Sequence, residues 1–184
     1  TTTGVGVVPD GVQISGERAR PGDRILVSGT IGDHGVAIMS LRENLSFETT
    51  IRSDTAALHG LVAAMVAAVP GIHCLRDPTR GGLATTLNEI ARQSGCGMRL
   101  EEARIPVRPQ VAAACEFLGL DPLYVANEGK LLAIVPEAEP ALAALGGEAR
   151  VIGRVIEGPA GRVVLRTRLG GTRVVSLALG EQLP

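Results

Sequence analysis

Residues 24–35 read Arg24-Ile-Leu-Val-Ser-Gly-Thr-Ile-Gly-Asp-His-Gly35. A short apolar run follows the turn signal Pro21-Gly22-Asp23 and ends in glycines, which is the pattern of a buried strand. The glycines lead into a helix carrying Ile38, Leu41 and Leu45. The same order recurs further on. A strand over 72–75 runs through Asp77-Pro78-Thr79-Arg80-Gly81-Gly82 into a helix with Leu83, Leu87 and Ile90 on one face. Strand, glycine loop and helix, twice over, predict an α/β (α+β) fold. Its form is a layered, mixed β-sheet with packed helices.

The remaining segments fit that class. Leu58, Leu61, Val62, Met65, Val66 and Val69 follow the i, i+3, i+4, i+7 spacing of a helix with one buried face, capped by Asp54 and stopped by Pro70-Gly71. Ser94-Gly95-Cys96-Gly97 ends the following helix, and 98–100 reads as a strand. A helix lies within 106–118. Strands at 123–125 and 130–135 are joined through Ala-Asn-Glu-Gly. A helix over 137–145 and strands over 151–156, 162–165 and 173–177 complete the chain, with turns at Gly158-Pro159 and Gly170-Gly171. Residues 5–8 read as a strand in progress. Residues 1–20 are accordingly taken as the end of a preceding domain or an interdomain strand, and 21–184 as the domain proper.

Composition narrows the function. The 184 residues are 45% hydrophobic but only 2% aromatic, so the core is built from Val, Leu, Ile and Ala. A net charge of −1, without a basic stripe in the sequence or aromatic stacking platforms, argues against nucleic acid. Cys74, Cys96 and Cys115 are far apart and form no CxxC pair, which argues against a disulfide framework or a zinc site and predicts buried thiols. The longest apolar run, 61–69, is far shorter than the roughly 20 residues of a membrane span. A cytoplasmic protein is expected.

Three motifs carry possible chemistry. In the first, Gly32, Asp33, His34 and Gly35 open a helix, where free N–H groups and the dipole favour an anion. His34 adds a group that titrates near neutrality. In the second, Gly81 and Gly82 occupy a first helical turn at a cost of about 1 kcal/mol per glycine relative to alanine, which points to a close backbone approach. Thr79 would cap that helix, Arg80 offers a fork suited to phosphate or carboxylate, and Asp77 would hold Arg80 or face a cation. In the third, Asn127-Glu128-Gly129-Lys130, Glu128 would serve as general acid or base once burial raises its pKa. The bland readings are plain strand-to-helix turns and a polar hairpin. His59 and His73 read as structural. The arginines from 150 to 173 read as the solvated face of a terminal sheet.

Taken together, Ser-Gly-Thr-Ile-Gly-Asp-His-Gly, Arg-Asp-Pro-Thr-Arg-Gly-Gly-Leu-Ala and Ala-Asn-Glu-Gly-Lys-Leu resemble the HypE family of hydrogenase-maturation proteins. That family lies within the aminoimidazole-ribonucleotide-synthetase-related superfamily, beside selenophosphate synthetase. The resemblance runs the whole chain. It implies an ATP-dependent dehydration of a thiocarbamate on a C-terminal cysteine to a thiocyanate, the source of the iron's cyano ligand in [NiFe]-hydrogenase. The implied partners are a HypF-like carbamoyltransferase, the HypC–HypD complex and a second copy of the parent joined through an N-terminal domain. The implied cofactors are ATP and Mg²⁺, whose Asp ligands belong to that N-terminal domain, so no metal ligand is expected here. By the same resemblance the chain is expected to stop three residues before the acceptor cysteine, whose role passes to none of Cys74, Cys96 or Cys115. Glu128, His34 and Arg80 are expected to do the chemistry, with Gly32, Asp33, Gly35, Asp77, Thr79, Gly81, Gly82 and Asn127 binding the cofactor. A selenophosphate-synthetase-like enzyme and a non-catalytic docking module remain the alternatives. The docking module would not need the three motifs to share one place.

Overall fold

The computed structural model describes residues 3–42 and 51–177. One seven-stranded sheet dominates: β1 (Arg24–Val27), β2 (Cys74–Arg76), β3 (Gly97–Glu101), β4 (Leu132–Val135), β5 (Arg150–Ile156), β6 (Val163–Arg166) and β7 (Thr172–Val175). Their order across the sheet is β2-β4-β1-β5-β3-β6-β7. Only β3 and β6 run parallel; every other pair is antiparallel. The α-helices among the described residues are α1 (Asp33–Arg42), α2 (His59–Ala68), α3 (Gly82–Ser94), α4 (Pro109–Leu118) and α5 (Ala138–Leu145).

Residues 25–27 of β1 and all of β4 are apolar on both sides because both faces are covered there. Ile25 and Val27 of β1 and Leu132 and Ile134 of β4 face a core beneath α3, where Leu83, Leu87 and Ile90 are fully buried. Leu26, Ala133 and Val135 face a second core beneath α2 and α5. The α2 periodicity holds. Met65 and Val69 are buried, and Leu61, Val62 and Val66 are half-buried against the same core. A third, smaller cluster joins α1 to α4 through Val36, Val111, Ala114, Cys115 and Val125.

Three local expectations need correction. Residues 5–8 form no strand, and Val5, Val7 and Val8 are exposed because no strand among the described residues pairs with them. Residues 123–125 are not a strand; Pro122–Tyr124 is a single 3-10 turn, with the Asp121 side chain accepting from the Leu123 N–H. Proline fixes φ there and lacks the donor a strand would need. Asp54 does not cap α2, which starts at His59 with no side-chain cap. Leu45, expected on the first helix, lies outside the described residues, whereas Ile38 and Leu41 are on α1 as expected. His73 is structural, as expected: it is nearly buried, with Nδ1 2.7 Å from the Asp23 carboxylate. No helix among the described residues is long and apolar enough to cross a membrane.

Candidate active site

Strand register brings three loops to one sheet edge. Val27 and Arg76 end β1 and β2, and each is the cross-strand partner of Leu132, which begins β4. The loops after β1 and β2 and the loop before β4 therefore emerge side by side. They carry the three motifs.

Asn127 joins them. Its side chain is wholly buried. Its Oδ1 accepts from the Gly32 N–H at 2.8 Å, and its Nδ2 donates to the Pro78 carbonyl at 2.9 Å and to the Val125 carbonyl at 3.0 Å. One amide thus uses three of its four hydrogen-bonding positions to bind the first motif to the second. This is a positioning role, carried by bonds within the protein.

The glycines have the same internal cause. A Cβ on Gly82 would lie 2.5 Å from the Leu123 carbonyl oxygen and 2.6 Å from that of Val125, and one on Gly35 would lie 2.4 Å from a Val125 methyl. Gly81 and Gly82 both take positive φ, which glycine adopts freely. The close approach read from Gly81-Gly82 is real: at Gly82 the approaching group is the 123–125 backbone, and at Gly81 it is the Thr85 side chain. The donors are engaged too. Gly35 N–H bonds the Ala126 carbonyl and Gly82 N–H bonds the Thr79 carbonyl. Thr79 therefore shapes the turn through its carbonyl, while Gly81 takes the cap position of α3 with no side-chain cap bond.

The charged residues fall into two groups. Asp33 is buried; its Oδ2 accepts from Thr30 Oγ1 at 2.5 Å, and Arg108 Nε lies 3.3 Å from Oδ1. Asp54 is a second buried carboxylate. It accepts from the Glu128 N–H at 3.1 Å and lies 3.5 Å from Lys130 Nζ. Each carboxylate has one buried oxygen without a hydrogen bond; that oxygen faces the neighbouring cation. His34 Nδ1 is 2.8 Å from Ser53 Oγ. Residues 53–54 therefore touch both His34 and the backbone of Glu128. The side chains of Glu128 and Arg80 are exposed. The burial expected for Glu128 is absent, because the loop turns it outward beside the buried Asn127. Asp77 lies 3.9 Å from Arg76, a loose surface pair, and does not hold Arg80.

Asp54, Ser53, Lys130, Thr30 and Arg108 were missed as site residues. The local sequence of Asp54 suggests only a helix cap, and nothing in it says that Gly129 passes against the Asp54 carbonyl. The thiols are inert structural groups. Burial pushes Cys74 and Cys115 up to about 11 and raises Cys96. Among the described residues no group of three His, Cys, Asp or Glu side chains could hold a metal ion. The buried carboxylates are already matched to Arg108 and Lys130, so this chain's described residues do not fit a Mg²⁺ site.

Residues 20–166 match the model of the AIR synthase related protein, C-terminal domain. The chain belongs to that family. Over its whole length it is 65% identical to the carbamoyl dehydratase HypE of Azotobacter vinelandii, covering 56% of that protein. The domain also superposes on a crystal structure of hydrogenase maturation protein HypE in complex with ATP, with a TM-score of 0.87 and 53% identity over 92% of this chain and 54% of that one. A HypE–HypF complex gives a TM-score of 0.85 and 42% identity over 94% of this chain and 57% of that one. The chain spans about half the length of the curated relatives it matches.

Proposed function

We propose that this chain is the C-terminal half of an ATP-dependent carbamoyl dehydratase acting in [NiFe]-hydrogenase maturation in the cytoplasm. In this reading residues 1–20 lead in from a preceding half, and the exposed Val5, Val7 and Val8 are apolar surface for it to cover. A HypF-like protein loads a carbamoyl group onto a C-terminal cysteine of the parent. The thiocarbamate loses water to become a thiocyanate, and the HypC–HypD complex receives the cyano group. Mg²⁺ and dimer contacts belong to the preceding half.

The observation that carries the proposal is the junction at Asn127, which fixes the loops of Gly32, Pro78 and Glu128 at one sheet edge. Bound ATP would supply the phosphoryl group that turns the carbamoyl oxygen into a leaving group. Arg80, exposed beside that junction, fits an anion and steadies charge on the departing oxygen. The carbamoyl nitrogen sheds two protons in becoming a nitrile: one passes to solvent as the oxygen is phosphorylated, and Glu128 takes the other as the phosphate leaves. His34, its ring oriented by Ser53, assists at the anion. The engaged N–H groups of Gly32, Gly35 and Gly82 leave side chains to make the anion contacts at these positions.

Glu128→Gln in the full-length enzyme tests the assignment, because it keeps shape and removes the proton acceptor. Carbamoylation of the terminal cysteine should be intact, and dehydration should fall by roughly 10²–10⁴-fold. Mass spectrometry of the C-terminal peptide distinguishes the two products; wild-type cyanation in the variant would remove Glu128 from the mechanism.

A further inference from the structure

On the sheet face that carries α2 and α5, those helices pack over the β2-β4-β1 end. The same face further along is lined by arginines. Arg24 of β1 is the direct cross-strand partner of Arg154 of β5, and Arg154 is the partner of Arg99 of β3. Three guanidinium side chains therefore stand in one row across three adjacent strands. At 4.7–4.9 Å between strands the row spans about 10 Å. Arg104 and Arg166 complete a groove of about 280 Å³ around it. Glu101 is the one carboxylate in its lining, at 3.9 Å from Arg99 and 4.0 Å from Arg166. Arg99 Nε is buried and has no hydrogen-bond partner.

Like charges placed directly opposite one another destabilise a sheet, so this row is costly in the free domain. Five arginines against one glutamate also contrast with a chain whose net charge is −1. We infer that this face docks an acidic segment of a partner protein, whose Asp and Glu side chains pair with the arginine row. Guanidinium forks match carboxylates two bonds at a time, and carboxylates three or four residues apart on a helix are spaced 5–6 Å, close to the interval of the row. β5 and β3 are paired on both sides, so their backbone N–H groups are spent and the face offers no amide nest for a phosphate. No aromatic residue lines the groove, which disfavours stacked bases.

The test uses the full-length protein and a fluorescent decaglutamate peptide. The peptide should bind saturably, and binding should weaken as salt rises. Arg24→Gln with Arg154→Gln should weaken it at least tenfold, whereas Arg162→Gln, an exposed arginine outside the groove, should leave it unchanged. Thermal melts of the double variant should show a Tm equal to or above wild type, because the opposed charges are removed; this rules out unfolding as the cause. Arg154→Lys should recover only part of the affinity, since it restores charge without the fork. Binding that ignores the double variant overturns the inference. So does displacement by an equal concentration of inorganic phosphate, or tighter binding of a single-stranded oligonucleotide of equal charge.

Discussion

At the scale of single residues, Asn127 holds the candidate site together. Asn127→Ala would strand the Gly32 N–H and the Pro78 and Val125 carbonyls in a buried place. An unsatisfied buried group costs about 1–3 kcal/mol, so the expected loss is about 3 kcal/mol or more, read by urea denaturation. Loops after β1 and β2 should also lose protection in hydrogen exchange, while α5, on the far core, should not. The sequence pointed to the neighbourhood but ranked its members differently. An Asn beside a Glu and a Gly reads as a turn, and only tertiary contacts reveal that the Asn faces inward and the Glu outward. The same holds for Gly82, whose purpose depends on the Leu123 and Val125 carbonyls about 40 residues away.

At the scale of elements, α2 and α3 were legible because one face of each meets a core, and burial imprints a 3.6-residue period. β1 and β4 were legible because burial on both faces leaves an uninterrupted apolar run. The short 3-10 turn at Pro122–Tyr124 was not, since three residues carry no period to read. Nor was the arginine row, which β1, β5 and β3 assemble from positions far apart in sequence; the chain shows no basic stripe, but the sheet builds one. Each thiol lies within or beside an element's packed face: Cys74 on β2, Cys115 on α4, and Cys96 between α3 and β3. Burial raises Cys74 and Cys115 from 9.0 to about 11. The native state therefore keeps protons that the unfolded chain releases above pH 9. Stability should be fully retained below pH 9 and fall as pH rises toward 11. Urea melts at pH 7.5 and 10 measure this, and the loss between them should be smaller in the Cys74→Ala/Cys115→Ala variant. An equal loss would mean that other groups set the alkaline limit.

At the scale of the whole molecule, the chain spans about half of its curated relatives, and on the proposed reading its site forms one wall of a cleft. Three loops meet at a sheet edge, yet their glycine N–H groups are spent on one another, and Glu128 and Arg80 face outward. A nucleotide meeting this wall alone would find an exposed guanidinium and a histidine, without an amide cradle or a metal ligand set. The 184-residue domain by itself is therefore expected to bind MgATP more weakly than about 1 mM, which corresponds to less than about 4 kcal/mol. Titration calorimetry on the isolated domain checks this. Any residual heat needs assignment to a site, because the arginine groove carries a local surplus of positive charge. Arg80→Gln should abolish a signal that comes from the proposed site, and Arg24→Gln with Arg154→Gln should abolish one that comes from the groove. Micromolar affinity lost in Arg80→Gln would mean that this half builds a complete phosphate site on its own. That would overturn the view of the Asn127 junction as a scaffold that awaits the opposite wall.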